Sequence, residues 1–366
     1  MIRLYALSLL LHTYIGARLL PDLANGAATL ALALLLVASA ALVPTAFLAR
    51  RGKGGGLAWI GMIAAGLFST LIVLTIARDV LLLLALPFAA GALLAHWSAA
   101  FVPIASIAIT LIGFINARRT ASVRNVDVPI DGLPLALHGF TIAQISDVHV
   151  GQTIRRGYVE SIVDKVNALD ADLIAVTGDL VDGSVGELAS HTAPLARLSA
   201  RHGTFFVTGN HEYYSGARAW IAELTRLGLN VLQNEHVVVE HDGANVVVAG
   251  VTDYSAHHFD QSMRSDPRAA IDGAPPDAVK VLLAHQPRSA FEAAKAGFDL
   301  QLSGHTHGGQ FLPWNWLVKW SQPFTAGLSR LGRLWVYTSR GTGYWGPPKR
   351  FGAPSEITRL CLVPAG

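Results

Sequence analysis

The sequence predicts an all-α membrane region followed by an α/β domain built around buried sheets. Mean hydropathy is +0.41 and only 14% of the 366 residues are charged, too apolar for a wholly soluble chain. The hydrophobicity is uneven: between Ala27 and Asn116 the only charged residues are Arg50, Arg51, Lys53, Arg78 and Asp79, whereas beyond Arg118 charges recur at ordinary density. From Asn125 onward short β-type runs alternate with helical stretches. These observations place the boundary near Arg118, with a transmembrane helical region over 1–118 and an α/β domain over 119–366.

Residues 27–49 and 57–77 are apolar runs long enough to span a hydrocarbon layer, which needs about 20 helical residues. The tract 80–115 is interrupted by Pro87, His96 and Pro103 and holds one principal span near 99–115, or else a hairpin. Residues 4–20, broken by His12 and Arg18, are a fourth candidate; two spans follow, so they read as a retained helix rather than a cleaved secretory signal. About four helices would place Arg3, the basic loop 50–53 and the Arg118, Arg119, Arg124 cluster on one side. Basic loops favour the cytoplasm, so the expectation is a multi-pass protein of the cell (inner) membrane whose soluble domain faces the cytoplasm; a hairpin in 80–115 would reverse it. Arg78 and Asp79 mark either a helix end at the interface or a functional pair at membrane depth. The formal charge of +3 and a pI of about 9.1 suit contact with anionic headgroups and give no reason to expect nucleic acid. Cys361 is the single cysteine, which rules out an intramolecular disulfide. Nothing in the sequence sets an oligomeric state.

In the second region, strands are expected at 126–130, 140–146, 173–177, 204–208, 246–251, 281–284, 300–303, 334–338 and 357–362, with helices at 158–169, 188–199, 218–227 and 289–296. The order β-α-β-α-β predicts a layered domain with buried sheets.

Short polar motifs follow these strands: Asp147-Val-His149, Gly178-Asp179, Gly209-Asn210-His211, a lone His285, and Gly304-His305-Thr-His307. Loops beyond the carboxyl ends of strands are where α/β sheets bind ligands, and Gly178, Gly209 and Gly304 fit sharp turns or close backbone approach. An isolated Asp-x-His or Gly-Asp is common in surface turns; five such motifs in series, each at a strand end, are hard to explain as solvated or core residues. Together they supply two coordination shells. With Asp179 as a bridge between two cations about 3.5–4 Å apart, one ion takes Asp147, His149, Asp179 and His307, and the other Asp179, Asn210, His285 and His305. His211 is then free to contact a scissile phosphate and protonate the leaving oxygen. The chemistry expected is hydrolysis of a phosphate ester or pyrophosphate bond by a metal-activated hydroxide. N/O donors alone do not select the metal.

From about Phe140 to Leu362 the chain resembles the calcineurin-like metallophosphoesterases, whose motifs D-x-H, G-D, G-N-H-E, H and G-H-x-H occur here in order. The runs Ser146-Asp-Val-His-Val-Gly151, Gly304-His-Thr-His-Gly-Gly-Gln310 and Ser339-Arg-Gly-Thr-Gly343 are similar to the bacterial membrane-associated, YkuE-like branch. The resemblance implies a four-layer α/β/β/α sandwich, two divalent metal ions (Mn, Fe, Zn or similar), the ligand roles above, and His211 as proton donor.

The substrate is less legible. Residues 311–324 carry Trp314, Trp316, Trp320, Phe324 and Lys319, either an interfacial lip admitting a lipid or lipid-linked substrate or an aromatic flap packed on the domain's own sheet. Otherwise the partner is a phosphorylated small molecule. Arg340 and Arg350 would bind phosphate or pair with carboxylates. A transporter or sensor with a regulatory phosphoesterase-like domain is the alternative, and the scarcity of polar groups in the spans speaks against it.

Overall fold

The computed structural model describes residues 1–23, 25–49, 55–87 and 91–366. The chain divides into two compact units, Met1–Arg118 with Gly346–Phe351, and Arg119–Trp345 with Gly352–Gly366.

The first unit is helical: Ile2–Leu19, Gly26–Leu42, Gly55–Ala85 and Gly91–Arg118. The segments Gly26–Thr45, Gly55–Ala85 and Gly91–Arg118 are long and apolar enough to cross a membrane. The expected tract 80–115 is shared between the last two helices, the first of which continues beyond 77 and the second of which carries Pro103 internally. The basic loop 50–53 lies outside the described residues. Ile15 and Leu19 pack with Leu32, Leu36, Leu71, Ala99 and Val102, so Ile2–Leu19 is part of the same core. Arg78 is buried, and its guanidinium donates to Asp22, to Ser98 Oγ at 2.9 Å and to the Arg18 carbonyl at 2.9 Å. Asp79 accepts from Tyr14 Oη at 2.6 Å and from Arg18 Nε at 2.9 Å. The pair lies inside the helix Gly55–Ala85 rather than at a helix end, and its hydrogen bonds tie that helix to Arg18 near the end of Ile2–Leu19 and to Ser98 of Gly91–Arg118.

One short segment departs from the expected division. Gly346–Phe351 groups with the helices, where buried Lys349 donates to the Gly66 carbonyl at 2.9 Å, to Thr110 Oγ1 at 3.2 Å and to Thr70 Oγ1. Gly113 makes room for it, because a Cβ there would lie 2.7 Å from Lys349 Cγ. An ammonium in an apolar bundle costs several kcal/mol unless its donors are satisfied, and the two threonines and the carbonyl satisfy them.

The second unit holds two six-stranded sheets. The strands are β1 (Ser122–Ile130), β2 (Thr141–Ile145), β3 (Leu173–Val176), β4 (Thr204–Phe206), β5 (Asn230–Val231), β6 (Glu235–His241), β7 (Ala244–Gly250), β8 (Val279–Leu283), β9 (Leu300–Ser303), β10 (Gly327–Leu331), β11 (Leu334–Thr338) and β12 (Glu356–Pro364). One sheet runs β1-β12-β2-β3-β4-β5, parallel throughout except at β12/β2; the other runs β10-β11-β9-β8-β7-β6, parallel in its middle and antiparallel at both edges. β5, β6 and β10, which carry no regular alternation of buried and exposed residues, escape the sequence pattern; all three are edge strands.

Period-2 alternation places the layers. Val246 and Val248 of β7 join Ile142, Leu173, Phe205, Leu283 and Leu302 in the core between the sheets, while Val247 and Ala249 face the other way and pack with Leu282, Ala290 and Ala293. The helix Ala290–Ala296 thus covers the outside of the second sheet. Parallel β2 and β3 are joined through the helix Arg156–Asn167, which must lie on a sheet face. The inner face is taken by the other sheet, so this helix covers the outside of the first. The result is four layers, α/β/β/α.

Leu302 is fully buried between the sheets. Leu302→Ala should cost about 2–5 kcal/mol, lowering the thermal midpoint followed by circular dichroism by roughly 5–15 °C. Exposed Leu135 is the control: Leu135→Ala should change stability by less than about 0.5 kcal/mol.

Candidate metal centre

The chain beyond β2 does not diverge from the chain beyond β3. The Asp147 amide donates to the Gly178 carbonyl at 3.0 Å, His149 N to Asp179 O at 3.1 Å and Val150 N to Leu180 O at 2.8 Å, so the two loops run together past the sheet edge. They project Asp147, His149 and Asp179 into one buried pocket. The short helix Asn210–Ser215 after β4 brings Asn210 and His211, the chain just beyond β8 brings His285, and the loop after β9 brings His305 and His307.

The backbone there is unusual. Asp147, His149, Asp179, His305 and His307 have φ between 51° and 71°. The left-handed region costs a non-glycine residue roughly 1–2 kcal/mol, and Asp, Asn and His tolerate it best. Strain of this kind concentrates where side chains must be aimed at one point. Gly178, at φ 83°, makes the turn before Asp179. Gly304 acts by close approach: a Cβ there would lie 2.0 Å from Ser146 Oγ and 2.1 Å from Asp147 Oδ2.

Six of the side chains expected from the sequence, Asp147, His149, Asp179, His285, His305 and His307, lie close together. His149 Nε2 and His307 Nε2 are 3.0 Å apart, and His307 Nε2 is 3.4 Å from Asp147 Oδ1. Asp179 Oδ2 lies 3.2 Å from His285 Nε2 and 3.9 Å from His149 Nε2. His305 Nδ1 is 3.3 Å from His285 Nε2. Two triples, Asp147/His149/His307 and Asp179/His285/His305, each bring three ligand atoms close enough to share an ion. His285 Nδ1 donates to the Thr177 carbonyl at 2.8 Å, which leaves Nε2 as the atom able to face an ion. The Asn210 Oδ1 atom is buried and has no hydrogen-bond partner among the described residues. An orphaned amide oxygen costs about 1–3 kcal/mol, and a cation beside it removes that cost, so the donor set fits divalent metal.

Charge in the pocket follows from geometry. Burial alone would raise Asp179, but the imidazoles of His285, His211 and His149 hold it well below the usual carboxylate range. Burial likewise opposes protonation of His285, and Asp179 overrides it and raises its pKa. The field that holds a proton on His285 is the field a cation would feel, and metal binding would release that proton. His305 is pushed down to about 3 by burial and by neighbouring His285, so its ring is neutral with a free lone pair.

Two residues to which the sequence reading assigned no role belong to the site. Asp182 Oδ1 lies 3.2 Å from His149 Nδ1 and 2.5 Å from His211 Nδ1, orienting both rings. Its only sequence signal is a position three residues beyond Asp179, a spacing common in loops. Glu212 is fully buried and accepts from Gly209 N at 2.6 Å, Leu180 N at 2.7 Å and Asp179 N at 2.9 Å, tying the loop after β3 to the loop after β4. Arg340 donates to Glu356 Oε2 at 2.9 Å, the carboxylate-pairing alternative, and Arg350 is buried in the helical unit, where its amide donates to the Gly113 carbonyl at 2.8 Å.

Gly304→Ala tests the packing of the pocket. The added methyl must displace the Asp147 carboxylate, so the purified variant should remain folded by circular dichroism yet bind metal at least tenfold more weakly; full affinity would show that the loop has slack.

Residues 140–309, which contain the whole donor set, match the family described as Calcineurin-like phosphoesterase. Over 270 residues the chain is 39% identical to a Bos taurus protein named transmembrane protein with metallophosphoesterase domain, covering 70% of this chain and 60% of that one. It is 32% identical over 227 residues to an uncharacterized metallophosphoesterase of Aquifex aeolicus, covering 62% of this chain and 85% of that protein. It is 29% identical over 239 residues to the uncharacterized metallophosphoesterase YkuE of Bacillus subtilis, covering 63% and 81%. The chain thus spans about three fifths of the length of the bovine relative. On the matched motifs and these relatives, the chain belongs to the calcineurin-like metallophosphoesterases.

Proposed function

We propose that this protein is a membrane-anchored phosphoesterase that holds two divalent cations and hydrolyses a phosphate ester or pyrophosphate bond of an amphiphilic, lipid or lipid-linked substrate. The closeness of Asp147, His149, Asp179, His285, His305 and His307, drawn from four separate segments, carries the reading, and the buried Asn210 oxygen, without a hydrogen bond among the described residues, supports it. Asp147, His149, Asp179 and His307 would hold one ion, and Asp179, Asn210, His285 and His305 the other. When bound, the cations would neutralise phosphate charge and make water acidic enough to attack near neutral pH.

The chain's own residues would do the rest. His211 lies beside Asp179, with Nε2 3.9 Å from Asp179 Oδ2, and its Nδ1 is held by Asp182. Burial opposes its protonation, but Asp179 and Asp182 raise it to about 9 when no cation is bound, so the metal-free site holds a proton on His211 at neutral pH. That proton sits on the edge of the donor cluster, where a departing oxygen would need it.

The membrane part of the reading rests on the three long apolar helices and on the exposed aromatic segment after the histidine loop. Trp316 is 64% and Trp320 87% exposed, next to Lys319, so the packed-flap alternative does not account for these two rings. Phe324, by contrast, packs against the second sheet's outer core. A Cβ at Gly309, two residues beyond His307, would lie 2.2 Å from Asn315 Cα, so the backbone of this aromatic lip runs close beside the histidine loop. Trp and Lys favour the headgroup region. The basic residues of the helical region support a cytoplasmic orientation of the soluble domain.

The full-length protein in lipid nanodiscs should hydrolyse p-nitrophenyl phosphate or its bis ester with added Mn and lose that activity in EDTA; a panel of phospholipids and lipid-linked pyrophosphates would then identify the substrate. His211→Ala should lower kcat by roughly 10²–10⁴-fold with metal content nearly full, whereas Asp179→Asn should strip at least one ion, both read by elemental analysis beside turnover. Because Asp182 helps to raise the pKa of His211, Asp182→Asn should move the alkaline limb of the kcat–pH profile to lower pH; an unmoved limb would exclude His211 as the group titrating there.

A further inference from the structure

The surface beside His211 is aromatic and open. Tyr214, in the same helix Asn210–Ser215, has its ring 5.2 Å from the His211 ring at 68°, and Trp345 approaches His211 to 5.9 Å at 79°. Phe259 extends the patch, 5.5 Å from Tyr214. Tyr214 is 63%, Phe259 52% and Trp345 39% exposed, so three large rings meet water beside His211. Apolar surface kept exposed beside a reactive group marks a binding surface more often than a packing defect.

Trp345 is also held in place. Its amide donates to Gln310 Oε1 at 2.8 Å and Gln310 Nε2 donates to the Trp345 carbonyl at 2.8 Å. Gln310 is buried and stands three residues beyond His307. This reciprocal pair fixes the Trp345 backbone to the loop that carries the histidine donors. Phe259 is backed by the buried Tyr213 ring at 5.7 Å, and Tyr213 is in turn bonded to Thr208 at 3.2 Å. The rings are therefore mounted on supports that reach into the site.

We propose that Tyr214, Phe259 and Trp345 form a subsite for the apolar alcohol portion of the substrate, the group that leaves. The inference rests on the phosphoesterase reading and names the substrate class within it. With His211 Nδ1 engaged by Asp182, the proton available for donation is on Nε2. In the hydrolysis, an oxygen from water bonds to phosphorus, the bond from phosphorus to the alcohol oxygen breaks, and the His211 proton ends on that oxygen; the water proton passes to solvent. The departing alcohol is thus produced against His211, and the rings next to it are what its carbon skeleton meets. Such a surface favours aryl or long-chain alcohols over glycerol or sugar, because flat rings give apolar contact and few hydrogen bonds.

The test compares 2-naphthyl phosphate with glycerol 2-phosphate, using full-length protein in lipid nanodiscs loaded with Mn. The ratio of their kcat/KM values should fall about tenfold in Trp345→Ala and in Tyr214→Ala, mainly through KM for the naphthyl ester, and Trp345→Phe should restore most of it. An n-octyl phosphate arm separates the sources: loss on both apolar esters assigns a general apolar subsite, and loss on the naphthyl ester alone assigns an aryl subsite. A ratio unchanged in both alanine variants, or equal losses on all esters, would overturn the subsite while leaving phosphoesterase activity intact. Failure of the unmodified protein to hydrolyse any of the esters with Mn present would overturn the phosphoesterase reading and the subsite with it.

Discussion

Asp147 and Asp179 share one buried site with five imidazoles, and much of the α/β unit can be understood as the scaffold that this requires. Asp147 and Asp179 are both essentially inaccessible to water, and such groups are stable only when cationic partners and hydrogen bonds replace their hydration. The pocket supplies both. The His211 amide donates to Asp179 Oδ1 at 2.8 Å and the His305 amide to Asp147 Oδ1 at 2.9 Å, while His285 faces the other oxygen of Asp179. Placing side chains this way forces five residues into left-handed backbone. Glu212, accepting amides from two loops, and the hydrogen-bond ladder between the loops after β2 and β3 hold that strained geometry in place.

The fold serves this pocket by register. β2, β3 and β4 are parallel neighbours, so their carboxyl ends lie along one edge and their following loops emerge together. β8 and β9 are parallel neighbours in the facing sheet and deliver His285 and the His305/His307 loop. Two sheets packed face to face thus bring together residues separated by as many as 160 positions in sequence, from Asp147 to His307.

Much of this was legible because it is local. Asp147, Asp179 and Asn210 follow apolar runs that form strands in the structure, and the central strands have strong enough apolar patterns to be recognised singly. The edge strands β5, β6 and β10 were not recognised, since an edge is half solvated and its pattern is set by its neighbour; Val237 and Val238 of β6 are both exposed. The roles of Asp182 and of Glu212, the last residue of the G-N-H-E motif, are hidden in the sequence for a different reason. Their work is to orient His149 and His211 and to tie loops together, roles defined by partners distant in sequence. Lys349 is the extreme case: its acceptors Gly66, Thr70 and Thr110 lie more than two hundred residues away, and a lysine after two prolines carries no sign that it will be buried among helices.

The central claim, a pair of cations held by these seven side chains, is tested most directly by counting metal. Full-length protein purified in nanodiscs, saturated with Mn and freed of excess, should carry close to two equivalents per chain by elemental analysis, with phosphoesterase activity that disappears on chelation and returns as the second equivalent is restored. A stoichiometry that saturates at one ion or below, or activity indifferent to chelation, would contradict the account.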